Sequence, residues 1–358
     1  MAFVTMAMVI LVAAGACSSS GSVPSPTPIA SATLSPTATP EPTSEATATQ
    51  RAATPTATAV KPTPTNTSTP GPSGTTTVVT SVKHVIVIMM ENHSYDDIIG
   101  KADAPYLNSL ARDHSVATSY YGVVSPSLLN YMAATGGNTF FSDNCQLVSG
   151  SCSTNARSIV DLLESSGKTW KSYQESMPSA CYTGNKYPYA EKHNPFIHYD
   201  LIRNDPARCA KIVPYSQLAS DLGSLPTYAW ITPDLCHDMH DTCNVDDSSV
   251  KSGDKWLSAE VPKIEGSPSC QPAGACLIVI TFDESSLTDE GQPDAAEAGE
   301  QDNHLLTMFI LSGVRQHIES KVRYNHYSLL KTIEQVLDLG TLTSNDAKAA
   351  VMTDMLPK

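Results

Sequence analysis

The chain has 358 residues, with 22 basic against 36 acidic side chains and a net charge of −14. So acidic a balance argues against nucleic acid or an anionic membrane surface as a main partner, because both would repel it. Composition then divides the chain. Residues 18–77 are almost wholly Pro, Thr, Ser and Ala, whereas residues 78–358 carry the aliphatic and aromatic residues of one large domain.

The first 17 residues hold an apolar run, Ala7 to Ala16, that is too short to span a bilayer. It ends in Ala14-Gly15-Ala16-Cys17, which resembles a bacterial lipoprotein signal and predicts a lipid anchor at Cys17. The competing reading is an ordinary secretory signal with an incidental cysteine. On either reading the domain is exported, to the cell surface or fully secreted, and a lipid at Cys17 is its only expected contact with a membrane. Residues 18–77 cannot bury enough apolar surface to offset their ordering entropy and read as a disordered tether. Eight further cysteines form an even set in a compartment where disulfides persist. Cys145/Cys152, Cys236/Cys243 and Cys270/Cys276 are close in sequence, which leaves Cys181 and Cys209. Sequential pairing is the simplest arrangement, and a zinc site ranks below it because no CxxC pair exists.

The first element of the domain is the apolar, β-branched run Val82–Met90, which reads as a strand buried on both faces and stops at Glu91-Asn92-His93. Leu128–Thr135 suits a helix with Ser127 near its amino terminus. Ser158–Ser166 reads as a helix closed by Gly167. Thr227–Thr232 reads as a strand ending at Pro233-Asp234, followed by a helix over Gly253–Glu265. Cys276–Phe282 is a strand ending at Asp283-Glu284, and Thr307–Leu311 another ending at Ser312-Gly313. A last helix, Ser328–Leu339, is closed by Gly340. This alternation predicts an α/β fold with a mainly parallel central sheet and helices on both faces.

Ligands bind beyond the carboxyl ends of the strands in such sheets. Glu91, Asp234, Asp283 and Glu284 therefore fall in one expected neighbourhood. Hard oxygen ligands without cysteine favour Mg, Ca or Mn, with Zn or Fe where histidine joins. Asp283 to Asp302 carries eight carboxylates among small residues, either as a solvated excursion or as a cover over a cation site. Ser127 is either a plain helix cap or, beside a metal, a nucleophile for phosphorus, with Asn130 one turn on as a donor to the same anion.

The run KHVIVIMMENHSYDDIIG resembles the opening motif of the bacterial phosphoesterase family that joins acid phosphatases and phosphatidylcholine-hydrolysing phospholipases C, within the alkaline-phosphatase-like superfamily. SPSLLNYMAATGG is similar to that family's nucleophile segment. YAEKHNPF, TPDLCHDMHD, ITFDE and YNHYSLLKTIE follow in the family's order, so the resemblance covers about Val82 to Leu339. It implies an alkaline-phosphatase-like fold and a divalent metal held by Glu91, Asn92, Ser127, Asp283 and Glu284, with Ser127 as nucleophile. It further implies His193, Asp238, His240 and His326 as catalytic polar groups, and His304 as a substrate-binding residue beside Asn130. Ser125 stands where the family has histidine and Leu129 where it has proline.

The activity implied is hydrolysis of a phosphate ester, most simply a phosphomonoester, through a phosphoseryl intermediate. The chain ends soon after the Ser328 helix, without the carboxyl-terminal β domains common in the phospholipase branch. Phospholipase C activity, or a surface protein that keeps the fold without catalysis, remain the alternatives. The nucleophile segment lacks the cysteine that sulfatases convert to formylglycine.

Overall fold

The computed structural model describes residues 82–147, 152–285 and 303–356, all within the unit Pro70–Lys358. The expected leader and tether, residues 1–77, and most of the acidic run after Asp283 lie outside the described residues.

Among the described residues nine strands make one sheet: β1 (His84–Met90), β2 (Ser115–Tyr121), β3 (Trp170–Gln174), β4 (Ile212–Pro214), β5 (Tyr228–Thr232), β6 (Cys276–Phe282), β7 (His304–Leu311), β8 (Ile318–Ser320) and β9 (Tyr324–Asn325). Their spatial order is β4-β3-β5-β1-β6-β7-β2-β8, with β9 paired to β2. β1 lies at the centre, parallel to β5 on one side and β6 on the other. From Val85 to Met90 every residue of β1 is fully buried, and β5 and β6 are buried along their whole length. Side chains on opposite faces of these strands are equally buried, so both faces of the sheet are covered, which explains their unbroken apolar sequence.

Helices Pro105–Asp113 and Ser249–Glu265 pack on one another, as do Ser127–Gly136 and His326–Val336. Ser158 caps the helix Ile159–Ser165 and accepts from Val160 N–H. Asn325 caps His326–Val336 by accepting from Tyr327 and Ser328 N–H.

One strand departs from the expected direction. β7 runs antiparallel to both β6 and β2, so its end at Ser312-Gly313 lies at the amino edge of β6, where the Ser312 hydroxyl accepts from Cys276 N–H at 3.1 Å. Its hydrophobic pattern is that of a buried strand whichever way the chain runs, so periodicity carried no information on direction. The eight cysteines form Cys145–Cys152, Cys181–Cys209, Cys236–Cys243 and Cys270–Cys276, the sequential pairing. Among the described residues no helix is long and apolar enough to cross a membrane.

Candidate active site

The register of the central strands builds the site. Met90 of β1 stands opposite Phe282 of β6, so the next residues, Glu91 and Asp283, emerge side by side at the carboxyl edge. Asp283 N–H donates to Met90 C=O at 3.1 Å, and Asn92 N–H to Asp283 Oδ1 at 3.1 Å. Asn92 holds a left-handed backbone, φ 52°, which asparagine tolerates better than most residues. The loop after β5 adds Asp238, whose carbonyl accepts from Glu91 N–H at 2.8 Å.

Ser127 reaches the same place at the first turn of a fully buried helix. Its Oγ lies 2.9 Å from Glu284 Oε1 and 3.2 Å from Glu91 Oε2. A hydroxyl has one proton, so it satisfies one of these carboxylates at a time. Asn92 Oδ1, Asp283 Oδ2 and Glu284 Oε2 are also buried and have no hydrogen-bond partner among the described residues. Buried acceptors without donors are costly. Together with the Ser127 hydroxyl and Glu91 they form the oxygen-rich donor set that suits a hard divalent cation. The residues fit such an ion.

Electrostatics point the same way. Burial pushes Glu91 and Asp283 well above the ordinary carboxylate range, and neighbouring carboxylates push further: Asp238 on Glu91, Glu91 on Asp283. Burial likewise raises Asp238 and Glu284. Four carboxyls are thus gathered where each resists ionisation unless positive charge joins them.

The histidines divide into two kinds. His193, on the turn Glu191–His193, is buried; its Nδ1 lies 3.0 Å from Asp238 Oδ2 and its Nε2 3.3 Å from Glu91 Oε2. Burial holds it well below the usual imidazole range; with Nδ1–H donated to Asp238, its Nε2 lone pair faces Glu91. Nε2 has no hydrogen-bond partner among the described residues. His240 joins this group: ligand atoms of Glu91, His193 and His240 all lie within 4.8 Å of one another. His326 is different. Its Nε2–H donates to Asp283 C=O at 2.7 Å and its Nδ1 pairs with Tyr120 OH at 3.0 Å. With both ring nitrogens used, it positions Asp283. Asp238 is also fully engaged, by His240 N–H at 2.8 Å and by His193. It orients two histidines.

Three further residues hold other partners in the structure. Asn130, expected to donate to the anion, accepts from Val123 and Val124 N–H at 2.9 and 3.2 Å and donates to Val124 C=O. Its amide shapes the loop that delivers Ser127. His304 lies beside Tyr95 and Tyr121, with ring centroids 4.8 and 5.2 Å away, and its Nε2 is 3.2 Å from Thr118 C=O. No contact joins it to the carboxylates among the described residues. Asp234 belongs to a second group: its carboxylate accepts from the Ser176 hydroxyl and from Cys236 N–H and pairs with His237, which also pairs with Glu175 at 3.0 Å. There the donors already match the acceptors.

Two residues of the site were not singled out in the sequence. Tyr131 donates to Glu91 Oε1 and stacks on His193, with centroids 5.5 Å apart. It lies four residues after Ser127, so helical spacing alone puts both on one face. Lys192 brings its Nζ to 3.1 Å from His240 Nε2 and lowers the proton affinity of Glu91, Asp238 and Glu284.

Residues 101–340 match the Phosphoesterase family. Over 285 residues the chain is 30% identical to a "Probable acid phosphatase" of the yeast Kluyveromyces lactis, covering 75% of this chain and 62% of that protein. It is 29% identical over 281 residues to a phosphatidylinositol-3-phosphatase of Mycobacterium tuberculosis, covering 76% of this chain and 82% of that one. The relatives thus include fungal as well as bacterial proteins. A solved protein of the alkaline phosphatase superfamily from Vibrio parahaemolyticus shares the fold, with a TM-score of 0.53 at 15% identity, covering 77% of this chain and 72% of that chain. Sequence match and sheet topology agree: the chain belongs to the phosphoesterase family and has the alkaline-phosphatase-like fold.

Proposed function

We propose that this protein is an exported, metal-dependent phosphomonoesterase with Ser127 as nucleophile. The observation that carries the reading is the convergence of the Ser127 hydroxyl on two buried carboxylates, within a set of buried oxygens that have no donors among the described residues. A divalent cation bound by Glu91, Asn92, Ser127, Asp283 and Glu284 would lower the proton affinity of the serine and neutralise charge on the phosphoryl group. Glu284, 2.9 Å away, aims the serine Oγ. Tyr131 fixes Glu91, and His326 fixes the backbone of Asp283.

In the reaction Ser127 Oγ forms a bond to phosphorus as the ester oxygen leaves, and the serine proton ends on the leaving alcohol. Water then cleaves the phosphoseryl bond and releases inorganic phosphate. The acid phosphatase and phosphatidylinositol-3-phosphatase relatives support a phosphomonoester substrate, while the matched stretch spans only 62% of the yeast relative. Four disulfides support an oxidising, exported setting.

Comparing a soluble aryl phosphate with phosphatidylcholine, with and without divalent ions, tests the reading. Metal-stimulated release of phosphate from the monoester, absent in Ser127→Ala, is expected. Turnover of phosphatidylcholine alone would replace it with phospholipase C activity, and an inert wild type with every divalent ion would overturn it.

A further inference from the structure

Glu91, His193 and His240 converge like the ligands of a second cation. Their ligand atoms lie within 4.8 Å of one another. Each histidine turns Nδ1 to a carboxylate, His193 to Asp238 at 3.0 Å and His240 to Asp241 at 2.7 Å. A carboxylate behind the ring is the arrangement that orients a metal-ligating imidazole. His193 Nε2 is buried, lacks a hydrogen-bond partner among the described residues and points its lone pair at Glu91 Oε2. These features taken alone describe a site for zinc.

Lys192 changes that conclusion. Its Nζ lies 3.1 Å from His240 Nε2. An ammonium has protons and no lone pair, so Lys192 donates and His240 Nε2 accepts. His240 is then neutral and carries its proton on Nδ1, towards Asp241. The positive charge at this corner belongs to the lysine, and its field reaches Glu91, Asp238 and Glu284. A divalent ion here would have to displace the ammonium from the same imidazole nitrogen.

We propose that Lys192 is a built-in second cation. Its ammonium takes the place of a metal at Glu91, His193 and His240, and meets an oxygen of the substrate's phosphoryl group. The inference rests on the phosphoesterase reading, and it adds that the chain works with one divalent ion and one lysine rather than two ions. A flexible ammonium suits the task, because its long stem lets it swing from His240 to an arriving anion.

The full chain, titrated with Zn²⁺ by calorimetry and checked by metal analysis after gel filtration, tests this through stoichiometry. Wild type and Lys192→Arg should take one equivalent, and Lys192→Met should take two. Lys192→Met should also lose roughly 100-fold or more in kcat/KM for an aryl phosphate and bind vanadate more weakly, with Lys192→Arg partly restoring both. Lys192→Gln, polar but uncharged, should behave as Lys192→Met does and guards against a variant that fails to fold. Two equivalents in wild type, or one equivalent with near-normal kinetics in both neutral variants, would overturn the proposal and leave the phosphoesterase reading standing. No zinc bound by wild type, together with no turnover, would instead remove the reading on which it rests.

Discussion

Removing divalent ions should make stability depend on pH in a predictable direction. Glu91, Asp238, Asp283 and Glu284 are all held above their ordinary values, each first by burial. A carboxyl whose folded value is raised contributes stability that is fully present below its unfolded value, near pH 4, and lost as pH rises through its folded value. The chelated protein should therefore lose stability between about pH 4 and neutrality. A cation that needs the ionised carboxylates opposes this loss and acts most strongly near neutral pH. At a free concentration about 100 times its dissociation constant it adds about 2.7 kcal/mol. At roughly 2–4 °C per kcal/mol for a domain of this order of size, Tm should rise by about 5–11 °C. Thermal unfolding with chelator, Mg²⁺, Ca²⁺, Mn²⁺ or Zn²⁺, near pH 5 and near neutrality, measures it. Asp283→Asn should reduce the shift and raise the stability of the chelated protein near neutrality, because it removes one repelling charge. A Tm indifferent to every ion at both pH values would refute the assignment of the orphaned oxygens to a cation.

Other parts of the structure respond in their own ways. Gly253 lies under the loop that carries Asp238 and His240, and a Cβ there would come within 2.4 Å of Met239 Cγ and 2.8 Å of His237 C=O. Gly253→Ala should cost roughly 1–3 kcal/mol in urea unfolding and lower kcat together with it. His326, pushed down to about 4 by burial, stays neutral in the assay range. His326→Ala should destabilise by roughly 1–3 kcal/mol, since it takes the imidazole donor from Asp283 C=O, yet leave the limbs of the pH–rate profile in place. Glu334, pushed up to about 9 by burial and by Asp346, contributes stability present below its unfolded value and lost as pH rises towards 9. Urea midpoints across that window should slope downward in wild type and less so in Glu334→Gln.

The central strands were legible because burial on both faces leaves an unmistakable apolar run, as in Cys276–Phe282, where expected and observed bounds coincide. β2 and β3 were not. Their sequences, SVATSYY and WKSYQ, mix polar and apolar residues because buried hydroxyls and amides find partners inside the sheet region, as Gln174 does with Ser172 and Thr232. Among site residues, Glu91, Asn92, Ser127, Asp283 and Glu284 follow from strand ends and one helix start, which sequence pattern locates. Asn130 and His326 look the same in sequence whether they face a substrate or hold a backbone, and only their partners decide. Lys192 was hidden by its neighbour His193, since a lysine beside a site residue is usually solvated surface.

The central claim is that Ser127 takes the phosphoryl group. Rapid acid quench during turnover of an aryl phosphate, followed by peptide mass spectrometry, measures this directly. The account predicts a phosphoryl group on Ser127 that appears only with a divalent ion and is absent in Ser127→Ala. Phosphate found on His193 or His240, or turnover that persists in Ser127→Ala, would contradict it.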